Sequence, residues 1–280
     1  ADVGKRMASM DGDADRLVYF FVKAGSDGLG LVDGDKIATL FARFIKAQLD
    51  AAGLSDDLTL GCVQTAYANG ASTDYLREVV GVPVEFVPTG VKHLHKKAHD
   101  FDIGVYFEAN GHGTVLFGPK ALAAIDAAET AAAGSVALAV LKGLTLLINQ
   151  AVGDALSDLL AVEAILSAEG APSTIAEWDA LYVDRPSRQL KVAVHDRAVV
   201  KTQWDEMRVI EPVALQDAVD AAVSACGEGA RGFVRPSGTE DVVRVYAEAS
   251  TQAKADELAL ALAKAIYEKA GGVGNLQTSI

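Results

Sequence analysis

Three carboxylates alternate with two of the smallest residues in Asp11-Gly12-Asp13-Ala14-Asp15, and the run passes through Arg16 into the apolar stretch Leu17–Val22. Like charges at this spacing repel, so such a loop is stable mainly when something positive sits among them. A divalent cation is the simplest candidate. Alternating carboxylates in a Gly/Ala turn can bring three oxygens to one hard ion, and Mg²⁺ favours such ligands while keeping positions open for water or a phosphate oxygen. An EF-hand fails here, because counting from Asp11 puts Arg16 where the turn glycine belongs and Val22 where the bidentate glutamate belongs. The plain alternative is an Asp-rich turn without metal.

A second cluster reads FVRPSGTEDVVRVY, residues 233–246. Arg235 and Arg244 flank Pro236-Ser237-Gly238-Thr239, so two guanidinium groups, two hydroxyls and successive backbone amides are available to one anion. The alternative is a turn before a strand with solvated arginines. In FEANGHGT, residues 107–114, Glu108 and Asn110 can accept and donate hydrogen bonds to neighbouring sugar hydroxyls, and His112 can titrate near neutrality or meet a phosphate. Asn-Gly also marks simple hairpin turns. In PTGVKHLHKKAH, residues 88–99, Thr89-Gly90 opens a helix whose first turn carries Lys92, a setting suited to an anionic substrate. His95 and His99 stand at i and i+4, but position 96 is Lys where a zincin carries Glu, so a solvated basic face is preferred over zinc. No P-loop, dinucleotide-binding glycine fingerprint or GxSxG elbow occurs.

The elements that must hold these loops follow from hydrophobic patterning. Leu17–Val22 reads as a strand, and Asp33-Gly34-Asp35 caps a helix over 36–52. Strands over 58–63, 84–87, 102–107 and 114–117 alternate with helices over 74–80 and 92–99, as a mostly parallel sheet requires. An Ala-rich helical region over 121–168 carries one break, at Gly134-Ser135, and within it 136–148 reads as a buried helix too short to span a bilayer. After a hinge at Gly170-Ala171-Pro172-Ser173, strands near 190–194 and 244–248 alternate with helices near 215–225 and 252–270, a separate small α+β domain.

The chain has 280 residues, room for roughly two or three domains. Lys plus Arg number 25 against 38 Asp plus Glu, a formal charge of −13 that argues against nucleic acid and anionic membranes as partners. Any anionic ligand must be met by local positive groups. Cys62 and Cys226 form no CxxC pair, which points to a reducing cytoplasmic setting. A metal-type loop at 11–15 has little chain ahead of it to supply neighbouring strands, so the chain is expected to begin inside a domain.

With the four loops in this order, the chain closely resembles the α-D-phosphohexomutase superfamily: DGDADR its magnesium loop, EANGHGT its sugar loop, RPSGTEDVVR its phosphate loop. The sugar loop, with LVDGDKIATL, QTAYANGAST and TGVKHLHKKA, resembles the branch acting on N-acetylated hexosamine phosphates. The resemblance implies mixed α/β domains followed by a small α+β domain like the TATA-box-binding protein. It implies a domain 2 tail at 1–56, domain 3 at 57–172 and domain 4 at 173–280, the C-terminal half of a mutase. The implied activity interconverts N-acetylglucosamine 6- and 1-phosphates, on the way to UDP-N-acetylglucosamine, through a phosphoserine and a bisphosphate intermediate. Asp11, Asp13 and Asp15 would hold Mg²⁺ beside Arg16. Thr89, Gly90, Glu108, Asn110, Arg235, Ser237, Gly238, Thr239 and Arg244 would bind substrate, and Lys92 and His112 are acid/base or phosphate contacts. The superfamily's catalytic Ser-His-Asn type motif does not occur in these residues, so the chain alone is expected to be inactive and to need the N-terminal half as partner. The alternatives are a glucose or mannose phosphate mutase and a noncatalytic sugar-phosphate-binding module.

Overall fold

The computed structural model describes residues 2–25, 28–132 and 134–280; Ala133, inside the Ala-rich region, lies outside them. The chain forms two compact units, Ala1–Phe86 with Gly90–Val183, and Val87–Thr89 with Asp184–Ile280.

The first unit opens with β1 (Met7–Met10), β2 (Leu17–Val22) and β3 (Leu29–Val32), an antiparallel sheet in that order. Period-two alternation sends Leu17, Tyr19 and Phe21 into the core. Helix α1 (Gly34–Ala52) starts where the Asp33 carboxylate accepts the amides of Asp35 and Lys36, and stops at Gly53, which takes the left-handed φ of 69°. Its apolar stripe, Ile37, Leu40, Phe41, Phe44, Ile45 and Leu49, is buried.

Next come β4 (Leu60–Thr65), α2 (Gly70–Asp74) running into a π-helical turn at Tyr75–Val80, β5 (Val84–Val87), α3 (Val91–Ala98), β6 (Ile103–Phe107) and β7 (Gly113–Phe117). The sheet order is β5-β4-β6-β7. β4 and β6 run parallel and the edge pairing of β6 with β7 is antiparallel, so the sheet is mixed, as the resemblance implies. The connection over 108–112 is too short for a parallel crossover and returns the chain as a hairpin. Every residue of β4, β6 and β7 is buried, as in a sheet covered on both faces.

The Ala-rich region breaks twice, into α4 (Pro119–Ala131), α5 (Val136–Leu147) and α6 (Ala155–Leu166), before α7 (Ile175–Asp179). α5 buries one stripe, Ala137, Leu138, Leu141 and Leu144, and leaves Val136 and Leu146 more than three-quarters exposed, so the buried helix expected there is buried on one side only. Lys36 is fully buried. Its ammonium donates to the carbonyls of Asp179 (2.6 Å) and Tyr182 (2.5 Å) and lies 3.6 Å from the Tyr182 ring centroid, while Trp178 Nε1 donates to the Lys36 carbonyl at 3.1 Å. These bonds satisfy a charge that would be costly if buried alone.

The second unit contains β8 (Ser187–Ala193), β9 (Lys201–Thr202), β10 (Val209–Glu211), α8 (Val213–Cys226), β11 (Arg231–Pro236), β12 (Val242–Glu248) and α9 (Gln252–Lys269). Its main sheet is antiparallel in the order β11-β12-β8, with α8 and α9 packed on it over a separate apolar core. This is the small α+β domain expected.

Candidate active site

The Asp loop lies in the first unit between β1 and β2. One ligand oxygen from each of Asp11, Asp13 and Asp15 lies within 4.8 Å of the other two. Asp11 Oδ1 accepts the amides of Asp15 and Arg16, both at 3.2 Å, and Arg16 Nε stands 3.6 Å from Asp11 Oδ2 and from Asp15 Oδ1. Desolvation pushes the Asp11 carboxyl upward, but the Arg16 and Asp15 amides, the Asp15 side chain and the Arg16 charge outweigh it and hold the group below its usual range. Asp15 Oδ1 is buried without a hydrogen bond, and Ala14 adopts φ 56°, a left-handed conformation an alanine rarely takes. An all-oxygen donor set with an orphaned buried carboxylate oxygen fits a hard divalent cation.

The loop is tied to two neighbours in its own unit. The Ala14 carbonyl accepts Ala155 N, the first residue of α6, at 3.0 Å, and Leu17 N donates to the Gly111 carbonyl at 3.1 Å. The second bond joins the Asp loop to the Glu108–Gly113 turn. That turn is self-bonded: Gly111 N donates to the Glu108 carbonyl at 2.8 Å, Glu108 N to the His112 carbonyl at 2.9 Å, and His112 N to Asn110 Oδ1 at 2.9 Å. Asn110 Nδ2 reaches Glu108 Oε2 at 3.5 Å, and Gly90 N donates to Glu108 Oε1 at 3.1 Å. Glu108, Asn110 and Gly90 are therefore brought together. His112 Nδ1 stands 3.5 Å from Asp15 Oδ2, so the Asp loop and the Glu108–Gly113 turn also meet through side chains. Lys92 is exposed in the first turn of α3. His95 Nδ1 is 2.8 Å from the Tyr106 hydroxyl, and burial, then the charge of His99, hold its pKa down. That accounts for His95 without a metal.

Sequence reasoning missed the first turn of α1, which positions the Glu108–Gly113 turn. Gly34 N donates to the Ala109 carbonyl at 3.2 Å, and a Cβ at Gly34 would lie 1.8 Å from the Glu108 carbonyl oxygen. The buried Asp35 accepts Asn69 N at 2.7 Å, which pins the turn before α2. Gly34→Ala must therefore displace the Glu108 turn or α1. It is expected to cost about 1–3 kcal/mol of stability, as overpacking does, and to weaken any ligand binding at the Glu108–Gly113 turn more than a surface substitution of equal thermal cost. Paired thermal melts and binding titrations check this; unchanged binding at a lowered melting temperature would separate the turn from the ligand.

One turn into α6, Asp158 is completely buried with neither carboxylate oxygen hydrogen-bonded. Burial, then the charge of Asp154, pushes its pKa up to about 8. Burial raises the Tyr19 and Tyr106 hydroxyls as well, and Asp158 adds to both shifts. It was invisible in the sequence as anything but a helix residue.

The Arg-Pro-Ser-Gly-Thr loop lies in the second unit, between β11 and β12. Ser237 is buried and its Oγ accepts the amides of Thr239 and Glu240 at 3.4 Å, so the hydroxyl organises the turn, while Gly238 and Thr239 are exposed. Strand register sets Arg235 opposite Arg244, and Arg244 opposite Lys191, three cations abreast on one face of the sheet. Like charges in directly opposed positions destabilise a sheet, and an anion there offsets the repulsion. Arg244 is 3.7 Å from Glu240, and Arg197 Nη2 donates to the Gly238 carbonyl at 3.2 Å. Arg235 Nε lies 2.8 Å from Glu206 Oε2, which also accepts Thr89 N (3.0 Å) and Thr89 Oγ1 (2.5 Å); Thr89 counts with this unit. Lys191, Arg197 and Glu206 were not read from the sequence, since strand register and a distant turn place them.

Two protein families match the chain: phosphoacetylglucosamine mutase AMG1, domain III, over residues 33–171, and phosphoglucomutase/phosphomannomutase, C-terminal domain, over 147–265. Among curated proteins, the phosphoacetylglucosamine mutase of Sus scrofa is 54% identical over 273 residues, covering 96% of this chain and 49% of the relative. That of Arabidopsis thaliana is 53% identical over 279 residues, covering 95% and 49%. The chain thus spans about half the length of the curated relatives it matches. Among solved structures, Aspergillus fumigatus N-acetylphosphoglucosamine mutase in complex with GlcNAc-6P and magnesium superposes with a TM-score of 0.92 at 48% identity, covering 96% of this chain and 50% of that one.

Proposed function

Because the chain belongs to the phosphoacetylglucosamine mutase family of the α-D-phosphohexomutase superfamily, we propose that it supplies the metal-, sugar- and phosphate-binding parts of an enzyme that interconverts N-acetylglucosamine 6-phosphate and N-acetylglucosamine 1-phosphate, feeding UDP-N-acetylglucosamine synthesis. The observation that carries this reading is the Leu17 to Gly111 hydrogen bond, which locks three clustered carboxylates to the turn bearing Glu108 and Asn110. A metal loop and a polyol-binding turn in fixed register are what a transfer between a phosphate and a sugar hydroxyl requires. In this reading residues 1–56, 57–172 and 173–280 correspond to parts of the second, third and fourth domains of the longer enzyme, in the cytoplasm. No helix among the described residues is long and apolar enough to cross a membrane.

Phosphoryl transfer asks little covalent chemistry of a protein, so positioning and fixed charge carry most of the burden. The substrate must be held in two orientations, one for each phosphorylated position. Glu108 and Asn110 hold hydroxyls common to both, and Arg235, Ser237, Gly238, Thr239 and Arg244 grip the phosphate that is not reacting, with Thr89 and Gly90 beside the sugar. Asp11, Asp13 and Asp15 would hold Mg²⁺, which when bound offsets negative charge at the transferring phosphoryl group. Arg16 braces the outer two carboxylates, and Lys92 and His112 are the acid/base or phosphate contacts.

The test is a coupled assay of N-acetylglucosamine 6-phosphate conversion with Mg²⁺ and a sugar bisphosphate, run on this chain and on the full-length product of its gene. Turnover is expected only in the longer protein, and faster with the acetylated sugar than with glucose 6-phosphate. A preference for glucose or mannose phosphates would overturn the substrate assignment, and sugar-phosphate binding without turnover in either protein would make the chain a binding module.

A further inference from the structure

Glu206 sits in the turn between β9 and β10, closed by Gln203 N to the Arg208 carbonyl at 2.8 Å and by its own amide to the Gln203 carbonyl at 3.0 Å. Its φ is 62°, in the left-handed region, where glycine or asparagine would be at ease and a long side chain is not. Strain of this kind persists where the side chain does something the backbone would otherwise reject. The carboxylate is largely withdrawn from water, at 15% exposure, and a single oxygen, Oε2, meets the Arg235 guanidinium, the Thr89 amide and the Thr89 hydroxyl. Arg235 and Thr89 are both residues nominated for ligand binding.

We propose that Glu206 is a positioning residue for phosphate recognition, holding Arg235 by its Nε edge and Thr89 by its amide and hydroxyl so that an incoming phosphate meets both already oriented. A guanidinium has five N–H donors in a rigid fork, enough to serve a carboxylate and a phosphate together. Arg235 is long and rich in rotamers, and fixing it before the ligand arrives removes that ordering cost from binding. This inference rests on the reading of residues 235–239 as a phosphate loop.

The experiment uses this 280-residue chain, with inorganic phosphate and N-acetylglucosamine 6-phosphate as probes titrated by ³¹P NMR, alongside thermal melts. Arg235→Ala tests the underlying reading and is expected to weaken both probes at least tenfold; if it leaves both unchanged, the phosphate loop and this inference fall together. Glu206→Gly relieves the backbone, so its melting temperature is expected to hold or rise while phosphate affinity drops about tenfold. The double variant is expected to bind more weakly than Arg235→Ala alone, but by clearly less than the tenfold of Glu206→Gly in the parent, since the part of the effect that runs through Arg235 is already gone and only the part through Thr89 remains. Glu206→Gln keeps the shape and one acceptor oxygen and should recover part of the loss. If Arg235→Ala weakens binding but Glu206→Gly and Glu206→Gln both bind like the parent, Glu206 is only a turn residue and the proposal is overturned. Additive losses in the double variant would overturn it as well.

Discussion

Asp13→Asn in the full-length protein is expected to cut mutase turnover roughly 10³-fold, the scale of several kcal/mol of charge stabilisation supplied by a bound metal. The substitution is informative because Asp13 is exposed and makes no hydrogen bond or ion pair among the described residues, so the amide costs the fold nothing that can be traced. Asp11 would be a poorer choice, since its Oδ1 holds the amides of Asp15 and Arg16 and its loss would disturb the loop itself. Titration with Mn²⁺, followed by electron paramagnetic resonance, should show one tight site in the parent chain and a much weaker one in Asp13→Asn, with melting curves superimposed. Turnover within tenfold of the parent, or unaltered Mn²⁺ affinity, would remove Asp13 from the metal site.

The second large effect is one of stability. Burial, then the nearby Asp154 charge, pushes the Asp158 carboxyl from its ordinary 3.8 up to about 8 in the folded chain. A raised carboxyl pKa means that the folded state keeps a proton the unfolded state gives up, so its contribution is full below about pH 4, falls as pH climbs toward 8, and is level beyond. At pH 7 the accumulated loss approaches about 4 kcal/mol. Asp158→Asn replaces a neutral buried acid with a neutral amide of the same shape and removes the linkage. The variant should match the parent near pH 4 and exceed it by a few kcal/mol from pH 7 upward. Trp178, buried in the first unit with its ring edge-on to Tyr19 at 5.1 Å, reports this transition by fluorescence during urea unfolding. A stability difference that does not change between pH 4 and 8 would mean that Asp158 is ionised in the fold and solvated or paired there.

What the sequence made legible was local. Asp33 starts α1 by capping chemistry alone, and the Asp, Glu-Ala-Asn-Gly and Arg-Pro-Ser-Gly-Thr loops announce themselves because each carries its donors within a few residues. What stayed hidden was set by distance along the chain or by uniform composition. The break between α5 and α6 escaped notice because Leu and Ala continue up to Asn149, and the loop is held by tertiary bonds such as Thr114 Oγ1 to the Asn149 carbonyl. Strand β11 was masked by the phosphate motif it carries. Gly34 looked like a turn residue and Glu206 was not read at all, because the importance of each depends on what packs against it: the Glu108 carbonyl in one case, Arg235 in the other.

The division of the chain into two units has a consequence for recombination. Residues 87–89 pack with the second unit although residues on both sides of them pack with the first, so the polypeptide passes from one unit to the other at 86/87, 89/90 and 183/184. A gene crossover at 183/184, the obvious place to graft the terminal unit onto a different scaffold, would leave Thr89 behind and strip Glu206 of the two hydrogen bonds it accepts from that residue. The unit that carries the Arg-Pro-Ser-Gly-Thr loop is therefore not a portable cassette, and chimaeras built at that junction inherit its strained turn without Thr89, one of the residues that turn was holding.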